Sequence, residues 1–234
     1  MCSSDLFSHR PEQLKELVTY ILDCAKSMGA TDAAAEISEG SGLSVAVRKG
    51  EIETIEQNLD KQAGVTVFIG QRRGNAGTND FSRPSLKAAV EAAFHIAQHT
   101  AEDDCAGLAE PELLEQHPKD LDLFHVWDID AEQAVEIARR AERGAFAVSP
   151  RISNSDGATV SAQHSQFMLG TSNGFMGGYP VSRHYIACTP IATLNSQPGA
   201  PMQRDDWYST SRVPEELAKP EAIGAYAASR ALSR

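Results

Sequence analysis

A chain of 234 residues with 41% hydrophobic and 23% charged residues is typical of soluble globular proteins, and its length allows one or two domains. The formal net charge of −11 argues against a broad nucleic-acid-binding face, because phosphate binding requires clustered lysine and arginine side chains. No stretch approaches the roughly 20 apolar residues of a membrane helix, and residues 1–5 lack the basic region of a signal peptide. We therefore expect a soluble protein with no direct contact to nucleic acid or membrane.

The placement of the cysteines predicts a cytoplasmic location. Cys2, Cys24, Cys105 and Cys188 are far apart in the sequence and form no CxxC pair. Isolated thiols of this kind are typical of a reducing compartment rather than of a disulfide-bonded secreted protein.

The first predicted element is a helix that begins near Pro11 and ends before Gly29. Proline suits the first turn of a helix, and glycine suits the left-handed residue that follows the last turn. Between these limits apolar residues recur at spacings of three and four, which predicts one buried face. That face consists of Leu14, Leu17, Val18, Ile21, Leu22, Ala25 and Met28.

A strand-rich region follows this helix. Alternation of apolar and polar residues predicts strands over 43–48 and 65–69, and a return strand over 51–56 after a hairpin turn at Lys49-Gly50-Glu51. The Gly-rich residues 72–78 provide a further strand, and a second helix begins around Pro84. The order helix, antiparallel meander, helix predicts an α+β layer in which helices cover the sheet.

Residues 101–119 are acidic and contain scattered glycine and proline, which predicts a linker. The chain is therefore predicted to divide into a front α+β domain over 1–100, an acidic linker over 101–119, and a second strand-rich α+β domain over 120–234.

In the second domain, Asp130 is predicted to cap a third helix together with Gln133. Ser155-Asp156-Gly157 and Asn173-Gly174 are predicted turns between strands. A strand over 179–192 contains Pro190, which a sheet accepts only at an edge or a bulge. A last helix is predicted over 221–234.

The histidines form no recognisable metal or catalytic motif. His95 and His99 share a helix face, as zinc ligands can, but Ile96 occupies the position at which the metallopeptidase motif requires glutamate. We interpret both side chains as solvent-facing.

The other histidine pairs are no better placed. His125 and Asp128 lie three residues apart, His184 follows Arg183, and His164 stands alone. None has a third ligand at a recognisable spacing, and zinc needs at least three protein ligands. The sequence therefore predicts no catalytic, cofactor-binding or metal-binding residue in this chain.

The glycine-rich segments are interpreted as turns and bulges, because no nucleophile elbow, Walker loop or dinucleotide fingerprint is present. One alternative stays open. Gly174, Gly177 and Gly178 flank Phe175 and precede Tyr179, so this hairpin could contact a peptide.

Several segments occur in the order in which one known family has them. They are Gly42 to Val45, Val47 to Glu51, Glu53 to Glu56, Gly64 to Val67, Gly70 to Gly74, Arg151 to Ser155, Thr171 to Phe175, Ser182 to His184 and Asp206 to Ser209. On these segments the chain resembles the TldD/PmbA family of metalloproteases and "modulators of DNA gyrase", in particular its PmbA-like (TldE-like) members. Pro190 and Asp205-Asp206 depart from the family pattern, which puts the strands there in question.

The resemblance implies a front domain, a middle domain and a larger third domain, and we expect this chain to stop before the third. In TldD-like members the zinc motif, HExxxH with a later cysteine, belongs to that third domain. PmbA-like members resemble a partner subunit without the motif. Zinc is thus implied for the TldD-like subunit, no cofactor is implied for this chain, and no catalytic residue of the family can be carried over.

The implied function is that of a partner subunit in a TldD–TldE-type zinc metallopeptidase that processes small or unfolded peptides. The expected assembly is a heterodimer with a TldD-like subunit, with self-association also open. The alternative is a non-proteolytic regulatory protein that acts on DNA gyrase or on a gyrase inhibitor. A third possibility is a chain that folds without activity of its own.

Overall fold

The computed structural model describes residues 6–115, 118–195 and 199–234, so Cys2 and two residues of the predicted linker, 116 and 117, lie outside the described residues. The helices are α1 (Pro11–Ser27), α2 (Arg83–His99), α3 (Ala131–Phe146) and α4 (Pro220–Ser233). The strands are β1 (Asp32–Arg48), β2 (Glu51–Ile69), β3 (Arg72–Thr78), β4 (Ile152–Thr171), β5 (Met176–Gly177), β6 (Pro180–Thr193), β7 (Met202–Arg204) and β8 (Trp207–Ser211).

In the described part of the chain, the strands form one eight-stranded sheet with the hydrogen-bonded order β3-β2-β1-β4-β6-β7. β5 pairs with β4 and β8 pairs with β6, and both pairs are antiparallel. The pairs β2–β3 and β6–β7 are antiparallel as well. Four α-helices among the described residues, beside an antiparallel sheet, confirm the predicted α+β fold class.

The chain folds into two compact units, and each combines three separate stretches of sequence. Unit 1 comprises Met1–Gly40, Leu59–Asp122 and Ser165–Pro180. Unit 2 comprises Ser41–Asn58, Leu123–His164 and Val181–Arg234.

The core of unit 1 is formed by α1, α2 and the strand residues that face them. The predicted apolar stripe of α1 is confirmed, since Leu14, Val18 and Ile21 are buried. The helix ends as predicted, because Gly29 has a φ of +92°, which glycine adopts without strain. Strand β3 approaches α2 closely at Gly74, where a Cβ atom would overlap the carbonyl oxygen of Ala93.

The core of unit 2 contains α3, α4 and apolar residues of the strands. The predicted capping box of α3 is confirmed: Asp130 Oδ1 accepts the Gln133 N–H at 2.8 Å, and Gln133 Oε1 accepts the Asp130 N–H at 2.9 Å. Helices α3 and α4 approach each other closely at two glycines. A Cβ atom on Gly224 would overlap the carbonyl oxygen of Ala141, and a Cβ atom on Gly144 would overlap backbone atoms of Glu221.

The strands are longer than the sequence predicts. Strand β1 begins at Asp32 rather than near residue 43, and the two strands predicted over 51–56 and 65–69 form one continuous strand, β2. The hairpin turn predicted at Lys49-Gly50-Glu51 is present but is one residue shorter: it consists of Lys49 and Gly50, whose φ angles are 52° and 78°, and Glu51 already belongs to β2. Positive φ at both positions is the signature of a tight hairpin turn.

One predicted turn is wrong and another is confirmed. Ser155-Asp156-Gly157 lies inside β4, where Gly157 has a φ of +114° and its N–H donates to Ser155 Oγ at 2.8 Å. A positive-φ glycine inside a strand is typical of a bulge, so the turn residues bend the strand instead of ending it. Asn173-Gly174 does form the turn between β4 and β5.

Pro190 lies inside β6, and the pairing explains how the sheet accepts it. Strand β8 pairs with β6 over His184 to Cys188, and β7 pairs with it over Ile191 to Thr193. Pro190 therefore falls between the segments of β6 that pair with β8 and with β7, so its missing N–H interrupts neither of these two pairings. The Asp205-Asp206 pair separates β7 from β8, so the departure from the family pattern there coincides with a break between two short strands.

The division of the chain into 1–100, 101–119 and 120–234 stays a proposal, and limited proteolysis tests it. The described part of Thr100–Lys119 is mostly exposed and has one short 3-10 turn. Segments with few packing contacts open locally at low cost in free energy. We expect a glutamate-specific protease to cut first in this stretch, with the fragments identified by mass spectrometry. First cleavage within 43–69 would contradict the proposal.

Candidate functional site

The histidines on α2 face solvent. His95 and His99 are exposed, and His95 Nδ1 lies 3.2 Å from Gln98 Oε1. The interpretation of both as solvent-facing side chains is confirmed.

Unit 2 brings together two histidines that the sequence left apart. His164 on β4 and His184 on β6 are both buried, and their ring centroids lie 5.3 Å apart in an edge-to-face arrangement. The ring of Trp127 lies 5.4 Å from that of His184, and the ring of Phe124 lies 5.8 Å from that of His164. We refer to His164 and His184 as the histidine pair.

The hydrogen bonds of the histidine pair fix its tautomers. His184 Nε2 lies 2.8 Å from the carbonyl oxygen of His125, which can only accept, so Nε2 carries the proton. His164 Nε2 accepts the N–H of Trp127 at 3.3 Å, so this nitrogen is unprotonated. His184 Nδ1 is buried and has no hydrogen-bond partner among the described residues.

Burial keeps both rings neutral. It lowers the pKa of His164 to about 4, with a smaller contribution from the neighbouring His184. Burial also lowers the pKa of His184, although its hydrogen bond to His125 and the charge of Glu215 act in the opposite direction. A base whose pKa is lowered in this way is a weak proton acceptor at neutral pH.

The surroundings of the pair provide neither a nucleophile nor a complete metal site. The hydroxyl of Ser182 accepts the His125 N–H at 2.9 Å and donates to the carbonyl oxygen of Arg212 at 3.0 Å, so it is already engaged. Two imidazoles supply at most two ligands, whereas zinc needs three or more. Within residues 6–115, 118–195 and 199–234 no group of three or more His, Cys, Asp or Glu side chains could hold a metal ion. The pair therefore does not fit a zinc centre.

The histidine pair predicts a pH dependence of stability. The folded pKa of His164 lies below the ordinary value of 6.5, so unfolding takes up a proton and stability falls as pH drops from 6.5 toward 4. Between pH 6.5 and 5 this one group accounts for about 2 kcal/mol. In His164→Gln, which keeps an acceptor for the Trp127 N–H, we expect the loss over this range to shrink by about that amount, measured by urea unfolding at each pH.

The control for this experiment is His95→Gln, which makes the same substitution at an exposed histidine outside the histidine pair. Parallel profiles for the wild type and His164→Gln would contradict the assignment.

A second feature of unit 2 is the exposed strand segment Glu51–Gln57. Strand β3 pairs with Ala63 to Ile69 of β2 and does not extend along this segment. All seven residues are exposed, including Ile52 and Ile55, each 48% exposed. We call Glu51–Gln57 the acidic edge, because it carries Glu51, Glu53 and Glu56 and no basic residue.

A buried carboxylate anchors the start of the acidic edge. Glu142 on α3 is 2% exposed and accepts the N–H groups of Lys49 at 3.0 Å and Gly50 at 2.8 Å. Arg139 Nε donates to the carbonyl oxygen of Gly50 at 2.8 Å. One turn of α3 therefore satisfies the backbone of the hairpin turn and fixes its position within unit 2.

In unit 1, the Gly-rich hairpin borders a cavity of about 430 Å³. Gly174, Phe175 and Met176 line it together with Leu22 and Asp23 of α1. The ring of Tyr179 lies 4.7 Å from that of Phe167. Contact of this hairpin with a peptide stays a prediction.

Comparison with known protein families shows to which family this chain belongs. Residues 33–97 match the model of the PmbA/TldA metallopeptidase domain 1, and residues 124–234 match that of the PmbA/TldA metallopeptidase central domain. The chain belongs to the PmbA/TldD family. The resemblance seen in the sequence is confirmed.

Curated relatives in the PmbA/TldD family are named as metalloproteases. The chain is 35% identical over 232 residues to the metalloprotease PmbA homolog of Haemophilus influenzae, covering 99% of this chain and 50% of that protein. It is 38% identical over 223 residues to metalloprotease PmbA of Escherichia coli O157:H7, covering 94% of this chain and 48% of that protein. The chain thus spans about half the length of the curated relatives it matches.

Solved structures show the same fold. A Bacteroides thetaiotaomicron protein described as a candidate modulator of DNA gyrase matches with a TM-score of 0.84 and 20% identity, over 94% of this chain and 50% of that one. TldE from Thermococcus kodakarensis matches with a TM-score of 0.71 and 14% identity, over 92% of this chain and 47% of that one. In the PmbA/TldD chain described here, no helix of the described residues is long and apolar enough to cross a membrane.

Proposed function

We propose that this chain is the PmbA/TldE-like partner subunit of a TldD–TldE-type zinc metallopeptidase that processes small or unfolded peptides. The observation that carries the proposal is the 38% identity over 223 residues to metalloprotease PmbA. The match to a TldE fold supports pairing with a TldD-like subunit in a heterodimer.

In this proposal the zinc belongs to the TldD-like subunit. The histidine pair supports that division, because it offers two imidazoles where zinc needs three ligands. Bound zinc supplies an activated water by lowering its pKa to about 7. This chain contributes binding surface rather than reacting groups, and its exposed sheet edges can pair with an extended peptide or with the partner subunit.

We also propose that the assembly works in the cytoplasm. Cys24, Cys105 and Cys188 are free thiols, which fits a reducing compartment.

A reconstitution experiment tests the proposed function. The purified chain is mixed with the TldD-like subunit of the same organism, and cleavage of an unfolded peptide is followed with and without a chelator. We expect no cleavage by this chain alone, because positioning without an activated water or nucleophile cannot supply the barrier reduction of at least about 8 kcal/mol typical of enzymes. With the partner we expect co-elution on size exclusion and chelator-sensitive cleavage above that of the partner alone.

Two results would overturn this function. One is chelator-sensitive cleavage by the chain alone, which would place a catalytic centre in it. The other is failure of the two subunits to associate at micromolar concentration.

A non-proteolytic role at DNA gyrase is the second candidate. The observation that favours it is that two similar structures, from Bacteroides thetaiotaomicron and Thermotoga maritima, are described as candidate modulators of DNA gyrase. The two functions differ in a measurable product. Altered supercoiling by gyrase in the presence of this chain, with no peptide cleaved when the TldD-like subunit is added, would favour the regulator.

A further inference from the structure

The cavity of about 430 Å³ in unit 1, which we call the α1 cavity, is bordered by three segments of the chain. They are the last turns of α1, the start of β1 with the loop before it, and the turn between β4 and β5. Hydrogen bonds join two of these segments: Ser172 Oγ donates to Asp32 Oδ1 at 2.9 Å and accepts the Ala33 N–H at 3.0 Å. The volume falls within the range of about 300–1,000 Å³ that is typical of small-molecule sites.

The threonine hydroxyls that line the α1 cavity are already engaged within the protein. Thr19, Thr31 and Thr171 each donate their hydroxyl proton to an oxygen atom of the chain, at 2.8, 3.0 and 2.6 Å. Since these protons are not available to a ligand, polar recognition in the cavity depends on the charged side chains.

Three charged side chains line the α1 cavity, namely Asp23, Lys26 and Asp32. Within residues 6–115, 118–195 and 199–234, the side chains of Asp23 and Lys26 have no hydrogen-bond or ion-pair partner. Asp32 accepts the Ser172 hydroxyl with Oδ1, and its Oδ2 has no partner in the same part of the chain. The cavity therefore offers two carboxylate groups and one ammonium group to a ligand.

The α1 cavity also has an apolar wall. Leu22 of α1, Phe175 and Met176 contribute to it, and all three side chains are partly buried. Leu22 and Met176 pack against the core of unit 1, which fixes their positions. Exposed ion pairs alone contribute little free energy, so a ligand that also removes this apolar surface from water is favoured.

The mixed charge of the cavity narrows the class of ligand. The Lys26 ammonium group repels a metal cation, and the two carboxylates repel phosphate or another anion. Asp23 and Lys26 lie three residues apart on α1, so their Cβ atoms are about 5–6 Å apart. Two extended residues span at most about 7 Å, so the two charged ends of one dipeptide can reach both side chains.

We propose that the α1 cavity binds an apolar dipeptide whose amino and carboxyl ends are both free. The α-ammonium group of the dipeptide pairs with Asp23 and Asp32, its carboxylate pairs with Lys26, and its side chains contact the apolar wall beside Phe175. The inference deepens the proposed function and rests on it in one respect: small peptides are the substrates and products of the peptidase proposed above.

Titration of the full chain with synthetic dipeptides tests this site. Isothermal titration calorimetry compares leucyl-leucine with N-acetyl-leucyl-leucine, leucyl-leucine amide and glycyl-glycine. We expect leucyl-leucine to bind with a Kd of about 1 mM or below. Each other probe lacks the ammonium group, the carboxylate or the apolar side chains, and should bind at least about fivefold more weakly. Absence of leucyl-leucine binding, or equal affinity for all four probes, would overturn the proposal.

Two matched pairs of variants assign the charges of the cavity to the ends of the dipeptide. Asp23→Asn removes a carboxylate from the cavity, and Glu16→Gln removes one from the exposed surface of the same helix. Lys26→Gln and Lys15→Gln form the corresponding pair for the ammonium group. We expect each cavity variant to raise the Kd of leucyl-leucine at least about threefold, and both controls to leave it unchanged.

The blocked probes provide a readout that a general disturbance of the fold would not give. Asp23→Asn should leave the Kd of N-acetyl-leucyl-leucine unchanged, and Lys26→Gln should leave that of leucyl-leucine amide unchanged, because each probe lacks the group that the altered side chain would bind. Circular dichroism verifies that each variant is folded before its Kd is interpreted.

Two further results would overturn the site. One is an equal loss of affinity in Glu16→Gln or Lys15→Gln, which would show that only diffuse charge matters. The other is a loss of affinity for the blocked probe as large as for leucyl-leucine. Because the assay needs neither cleavage nor a partner subunit, binding together with failed reconstitution would remove the proposed peptidase function alone. Failed binding together with successful reconstitution would remove this site alone.

Discussion

Replacing Gly224 with alanine is expected to destabilise the protein by about 3 kcal/mol, although alanine is the better helix former. Gly224 lies inside α4, where the substitution would ordinarily gain about 1 kcal/mol. The added Cβ would overlap the carbonyl oxygen of Ala141 and come within 2.8 Å of the Ala145 nitrogen, both on α3. Backbone atoms cannot rotate away, so the two helices must separate and uncover the apolar residues of unit 2.

Urea unfolding of Gly224→Ala measures this effect, and Gly64→Ala is the matched control. A Cβ atom on Gly64 meets nothing within 4 Å, and its φ is not in the left-handed region. We expect the control to change the free energy of unfolding by less than about 0.5 kcal/mol. An increase in stability for Gly224→Ala would show that α3 and α4 do not pack this closely.

Replacing Glu142 with alanine is expected to cost about 3 kcal/mol, because two hydrogen bonds to a charged group are lost. Glu142 is 2% exposed, and its carboxylate accepts both N–H groups of the hairpin turn at Lys49 and Gly50. Without the Glu142 carboxylate, the two N–H groups of the turn have no acceptor on α3, and the missing side chain leaves a cavity beside the helix. Glu142→Gln keeps one acceptor oxygen and should have an intermediate effect.

Glu136→Ala is the control on the same helix. Glu136 is 54% exposed and pairs with Arg143 at 2.6 Å, and exposed pairs of this kind contribute at most about 1 kcal/mol. The expected order of destabilisation is therefore Glu142→Ala, then Glu142→Gln, then Glu136→Ala. Equal effects of Glu142→Ala and Glu136→Ala in urea unfolding would contradict the anchoring role.

The helices were predictable because their signals are local. Pro11 and Gly29 mark the ends of α1, and Asp130 with Gln133 marks the start of α3, within a few residues of the backbone groups they satisfy. Asn173-Gly174 was predictable for the same reason. The bulge at Gly157 was not predictable, because a glycine with positive φ occurs both in bulges within one strand and in turns between two strands.

The first half of β1 was missed because its residues are poor strand formers. Ala33, Ala35 and Glu39 are buried there, and alanine and glutamate are depleted in strands. Glu39 is accommodated by partners from distant parts of unit 1: it accepts the His9 N–H at 2.9 Å and Gln166 Nε2–H at 2.7 Å. The strand conformation of this segment therefore depends on tertiary contacts, which no local sequence pattern indicates.

The histidine pair was missed for a related reason. His164 and His184 come together only because β4 and β6 are neighbours in the sheet. One signal was available, because alternate residues of a strand face the same side. His164 lies two residues from the buried Ala162, and His184 lies two residues from the buried Ile186. A histidine at such a position is expected to be neutral, but its partner cannot be named before the strand order is known.

The connection between β1 and β2 has a consequence for how the protein is made. Because a two-residue turn joins β1 and β2, their pairing can begin at the turn, and hairpins form in about 1–10 μs. The hairpin is complete once residue 69 has been synthesised, whereas β4, the other neighbour of β1, ends about 100 residues later. At about 5–20 residues per second, the ribosome leaves that side of β1 uncovered for about 5–20 s. The alanine and glutamate residues of β1, which are poor strand formers, also make β1 a poor template for pairing with another nascent chain during that interval.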